Sequence, residues 1–165
     1  MSAPLGGQNR NKCHRSKLAN PLLDHQHLEL AEEFYEAFRK LPPNGPSGIP
    51  INWPRYFMLC HATELALKAF LLAHGWTEQQ IRAQGVRHDV TKLLTEAVAL
   101  GLKIGPLAHH ELELLSQAHE EFWHRYPKQT ADPVFIIDHF EPYVVELLKA
   151  VRLEIRGGNV LYVCY

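Results

Sequence analysis

A chain of 165 residues, 46% hydrophobic and 21% charged, suits one globular domain long enough to bury its own core without covalent staples. Seventeen basic against eighteen acidic residues leave a formal charge of −1, which excludes a global field aimed at nucleic acid or an anionic membrane; only a local patch could recognise either. Cys13, Cys60 and Cys164 are odd in number and far apart, a pattern that excludes a disulfide framework or a zinc–thiolate site and fits reduced thiols in the cytoplasm.

The first 20 residues carry Arg10, Lys12, Arg15 and Lys17 with little apolar material, so they read as a disordered basic arm, either inert or phosphate-seeking. Residues 21–165 read as a single helical domain. From Pro21 to Leu41 the apolar set Ala31, Phe34, Tyr35, Phe38 and Leu41 falls on one stripe, giving a first amphipathic helix. The segment PPNGPSGIP, residues 42–50, holds four prolines and two glycines and cannot continue it.

The stretch from Asn52 to Gly75 predicts the organising element. Between Phe57 and Ala73 nearly every position is apolar, and the exceptions His61, Glu64 and Lys68 share one helical face. Asn52 is placed to cap, Pro54 is tolerated in a first turn, and Gly75 supplies a left-handed stop. Such a helix must be covered on several sides by sister helices or by a second subunit. No leader with a continuous apolar run precedes it, and Glu64 and Lys68 interrupt it, so neither a signal peptide nor a membrane span is expected.

Thr77 with Gln80 is a capping-box pattern for a short helix ending near Gly85. Asp89 caps the next, whose buried stripe is Val90, Leu93, Leu94, Ala97 and Val98, closed by Gly101, Gly105 and Pro106. A helix from about Leu107 to Trp123 buries Leu112, Leu115, Ala118 and Phe122 and is stopped by Pro127. Asp138, with Glu141 three residues on, is read as the cap of a final helix carrying Phe140, Tyr143, Val144, Leu147, Leu148 and Val151, ended by Gly157 and Gly158. The apolar tail NVLYVCY is expected to dock on the bundle or on a partner subunit. The sum is an all-α, up-and-down bundle of about five helices.

The order HATELALKAFLLAHG, then HDVTKLL, then Arg125-Tyr126-Pro127, spanning about Pro54 to Val151, resembles the HEPN family. That resemblance implies a small helical bundle, usually a homodimer. The family includes metal-independent ribonucleases, toxins paired with minimal nucleotidyltransferase antitoxins, and catalytically silent nucleotide-binding or scaffolding members. Its nucleases join an Arg to a His a turn or two later across the dimer, since cleavage through a 2′-hydroxyl needs a proton carrier and a cation for the phosphorane. After Arg125 no His follows at that distance; Arg55 to His61 and Arg82 to His88 have the spacing, which chance supplies in a chain of nine arginines and eleven histidines. The expectation is therefore a dimer that binds nucleotide, RNA or a partner protein without the standard pair, with a ribonuclease of displaced site or a purely structural protein as alternatives.

Within that expectation His61 and Arg125 are the catalytic candidates, and Lys68, Arg125, His124 and Glu64 the candidates for phosphate or nucleotide. Each has a structural reading beside it: Glu64 and Lys68 as a satisfied i, i+4 ion pair, Arg125 as a cation favoured by a helix C-terminus. The run AHHELELLSQAHEEFWH lacks H-E-x-x-H, and no metal or cofactor is expected.

Overall fold

A computed structural model describes residues 22–44, 52–122 and 136–157, with side chains left undescribed at 118–122. The basic arm, most of the proline loop, the segment with His124 and Arg125, and the apolar tail lie outside the described residues. So do the side chains of Ala118 and Phe122.

Among the described residues six α-helices appear in order: α1 (Leu23–Lys40), α2 (Trp53–Ala73), α3 (Glu78–Ile81), α4 (Val90–Ala99), α5 (Pro106–Phe122) and α6 (Glu141–Arg156), with a 3-10 turn at Ile137–Phe140 before the last. No strand occurs among the described residues. The all-α expectation is met.

Local chemistry sets the boundaries of α2. The Asn52 side chain accepts from the Arg55 amide, 3.2 Å away, and Pro54 stands where an amide would have no helical partner. At the other end Gly75 takes φ 94°, a left-handed value that L side chains resist. This lets the Gly75 amide donate to Leu72 and the Trp76 amide to Leu71, tying off two terminal carbonyls. The capping box at Thr77 and the Asp89 cap form as the sequence predicts.

Packing makes α2 the axis of the molecule. Its residues from Leu59 to Leu72 are buried with the one exception of His61, against α1, α6 and α4 and more lightly against α5. Long-range contacts give the directions: Arg55 meets Asp138 while His74 meets Glu154, so α6 runs parallel to α2, whereas Phe38 and Phe34 of α1 meet Arg55 and His61, so α1 runs antiparallel. Leu28, Phe38, Leu59, Leu67, Leu93, Leu112, Leu115 and Leu147 are fully buried, each contributing about 1.5–3 kcal/mol relative to exposure. By length and composition α2 could cross a bilayer, but 78% of its most apolar window is buried inside the bundle.

Two readings need correction. Asp138 does not cap the final helix: it lies within the 3-10 turn, α6 has no side-chain cap, and the carboxylate is taken by Arg55. A two-ended interaction with a guanidinium outcompetes a single amide bond. Val98 leaves the buried stripe of α4 and is 38% exposed, because α4 turns only Val90, Leu93, Leu94 and Ala97 inward.

Candidate functional site

One face of α2 carries Trp53, Phe57, His61, Glu64 and Lys68, residues whose spacing stacks them along a single stripe. The structure divides that stripe in two. Trp53 and Phe57 are 43% and 41% exposed, whereas Glu64 and Lys68 are 1% and 8% exposed, and His61 lies at the boundary, half-buried.

In the closed part the Lys68 ammonium donates to Glu64 Oε1 at 2.5 Å. His88, from the turn before α4, reaches over the same carboxylate, with Nδ1 3.3 and 3.4 Å from the two oxygens. Its side chain is half exposed, so the ring bridges a buried acid and solvent. The buried carboxylate is thus held on one side by a cation and on the other by an imidazole, which is what keeps a charge tolerable in an apolar helix. His61 sits one turn before Glu64, between Phe34, whose ring meets it edge-on at 4.4 Å, and Phe57, stacked on it at 5.5 Å. Burial lowers its pKa; Glu64 opposes that shift, while Lys68 and His88 reinforce it. The outcome is an imidazole whose neutral form is favoured by burial, one turn from a carboxylate engaged by a second imidazole.

The Arg–His spacings noted in the sequence do not converge. Arg55 points across the bundle, where Nε and Nη2 donate to Asp138 at 2.9 and 2.5 Å and Nη1 donates to the carbonyls of Phe38 and Leu41. Its guanidinium also lies 3.8 Å over the Phe38 ring. All of these partners fix α1 and the 3-10 turn to the start of α2, away from His61. Arg82 is paired with Glu78 on the surface of α3. Of the expected site residues, His61, Glu64 and Lys68 are brought together, and Arg125 and His124 lie outside the described residues.

Nothing in the sequence reading marked His88 as the fourth member of the cluster or Asp138 as the partner of Arg55. Neither had a local signal, since His88 is 24 positions from Glu64 and Asp138 is 83 from Arg55. The Cys60 thiol, 1% exposed, has its pKa pushed up to about 12, chiefly by burial. It is packing, not a nucleophile. Among the described residues no three His, Cys, Asp or Glu side chains are placed to hold a metal ion.

Fold and cluster together define an all-helical bundle with a titratable, partly open face on its central helix. No known protein family, curated protein or solved structure matches the chain.

Proposed function

We propose that the protein is a HEPN-like helical dimer that recognises a nucleotide or RNA and works by binding, without the standard Arg/His nuclease pair. The observation that carries this reading is the cluster at the half-open face of α2, where His61 and His88 approach solvent over the buried Glu64–Lys68 pair. In this reading Glu64 and Lys68 hold the imidazoles in place, and His61 and His88 meet the ligand. Arg125 and His124 supply charge to a phosphate, a role suited to the planar fork of arginine. The commitment of Arg55 to Asp138 and of Arg82 to Glu78 supports binding over catalysis by such a pair. A partner protein of the nucleotidyltransferase type, in a toxin–antitoxin arrangement, belongs to the same reading.

Light scattering together with calorimetric titration of nucleotides and short RNA tests it. The expected result is a dimer whose nucleotide affinity falls in both His88→Ala and Arg125→Ala; a monomer with no nucleotide affinity refutes it.

A second reading, a metal-independent ribonuclease with a displaced site, is favoured by one observation, the placing of the half-buried His61 one turn before the carboxylate that His88 engages. Labelled RNA incubated with wild type and Arg125→Ala decides: equal activity, or none, removes it.

A further inference from the structure

The polar stripe of α2 carries hydrogen-bonding capacity that the bundle does not use. Lys68 is 8% exposed, and of the three N–H donors of its ammonium one goes to Glu64 Oε1, while the other two find no acceptor among the described residues. Two turns earlier on the same face, neither ring nitrogen of His61 has a hydrogen-bond partner among the described residues, although the ring is half-buried between Phe34 and Phe57. Desolvated polar groups of this kind are costly to leave empty, so something meets them. Helix side chains lean toward the N-terminus, and the 2.5 Å contact with Glu64 shows that Lys68 does so, reaching back toward His61. Ammonium and imidazole thus stand on either side of one carboxylate, each with hydrogen bonds to give.

Charge decides what can meet them. Glu64 already neutralises Lys68, so the pair by itself attracts no anion. His61 faces Phe34 from α1, Phe57, Glu64 and Lys68 from its own helix, and His88 from the turn before α4. Of these, Glu64 favours a protonated ring; burial, Lys68 and His88 favour a neutral one. An anion placed against His61 and Lys68 reverses that balance, and a proton from solvent comes in with it. A phosphate monoester suits such a site better than an internal phosphodiester. Its second ionisation lies at about pH 6, next to the ordinary imidazole value of about 6.5, so monoester and ring can share one proton. Its three terminal oxygens also reach recessed donors that a diester, flanked by sugar on both sides, approaches less closely.

Resting on the nucleotide reading above, we propose that the ligand of this face is a terminal phosphate, the monoester end of a nucleotide or of an RNA strand, held by the two remaining donors of Lys68 and by His61, with a proton taken up between His61 and the phosphate. The site then reads the end of a strand and not its middle.

Calorimetric titration of the full chain with AMP, with the dinucleotide pApA and with ApA, which has the same bases but only an internal phosphodiester, tests this. pApA is expected to bind on the order of 10-fold or more tighter than ApA, the effect of one charge-assisted hydrogen bond. AMP as tight as pApA assigns a mononucleotide, and AMP much weaker than pApA assigns a phosphorylated strand end; either result supports the terminal phosphate. Repeating the pApA titration near neutral pH in two buffers of different ionisation enthalpy counts the protons taken up, expected to be a substantial fraction of one in wild type and to fall in His61→Gln. Lys68→Met, made together with Glu64→Leu so that no buried charge is stranded, is expected to lose the preference for pApA over ApA. Should that double variant fail to fold, the proton count in His61→Gln decides. Equal affinity for pApA and ApA in wild type overturns the terminal phosphate and leaves the nucleotide reading standing. Preference for pApA without proton uptake, or with uptake unchanged in His61→Gln, overturns the role of His61, and a preference intact in the folded double variant overturns that of Lys68. Absence of binding by all three probes overturns this inference together with the reading it rests on.

Discussion

The two halves of α2 are built from the same kind of sequence and meet opposite fates. In the half from Ala62 to Leu72, three or more helices converge and even the charged residues are drawn inside, so that Glu64 and Lys68 survive only as partners. In the half from Trp53 to His61 the covering is one-sided, and aromatic rings reach solvent. The buried half must satisfy Glu64 and Lys68 within itself; the open half sends its one buried charge, Arg55, across the bundle to Asp138 and leaves aromatic surface toward solvent. A polar residue in a helix of this kind is thus no sign of exposure, and an aromatic one no sign of burial.

The largest effect that would sharpen this contrast comes from the buried pair. Glu64→Ala strands the Lys68 ammonium in an apolar setting and is expected to destabilise by about 3–5 kcal/mol in chemical denaturation. Replacing both partners with apolar residues, Glu64→Leu with Lys68→Met, is expected to cost much less than the single change, because no uncompensated charge remains. A double variant as unstable as the single one would break the view that partnership, and not the charges themselves, is what the interior requires.

Next in size is the clamp at the start of α2. Arg55→Lys keeps a charge but loses the fork that serves Asp138 and two carbonyls at once, and is expected to lose about 2 kcal/mol by the same measurement. If lysine substitutes without loss, the geometry of the fork contributes little and the clamp is ordinary surface electrostatics.

A smaller effect reports on the boundary between the halves. Burial lowers the folded-state pKa of His61, so the unfolded chain binds the proton more readily, and stability falls as pH drops through the ordinary imidazole value of about 6.5. Thermal melts of wild type at decreasing pH are expected to show this loss, and His61→Gln to remove its own share of the slope. An unchanged slope in the variant would place His61 in contact with bulk water in solution.

The smallest effect lies away from both halves. Asp89→Ala removes the side chain that accepts from the Lys92 amide at 2.8 Å and is expected to cost about 1 kcal/mol. Val98→Ser, on the solvent side of α4, is expected to stay within about 0.5 kcal/mol, and a larger loss would mean that this face is covered in solution.

Much of the architecture was legible because it is local. Periodicity within α1, α2, α4 and α6, the Asn52, Thr77 and Asp89 caps and the left-handed Gly75 all depend on residues a few positions apart. The i, i+4 relation of Glu64 and Lys68 was readable for the same reason. Asp138 illustrates the limit: its spacing to Glu141 was that of a cap, and a guanidinium 83 positions away claimed it.

The sequence by itself determined an all-helical chain organised on residues 53–73, since hydrophobic spacing and terminal capping act within single turns of helix. Tertiary structure alone decided that His88 closes over Glu64, that Arg55 clamps the 3-10 turn, and that the sealed and open halves of α2 divide at His61. Those outcomes depend on which helices meet, and no spacing along one segment encodes the distance between two elements that come together only when the chain folds.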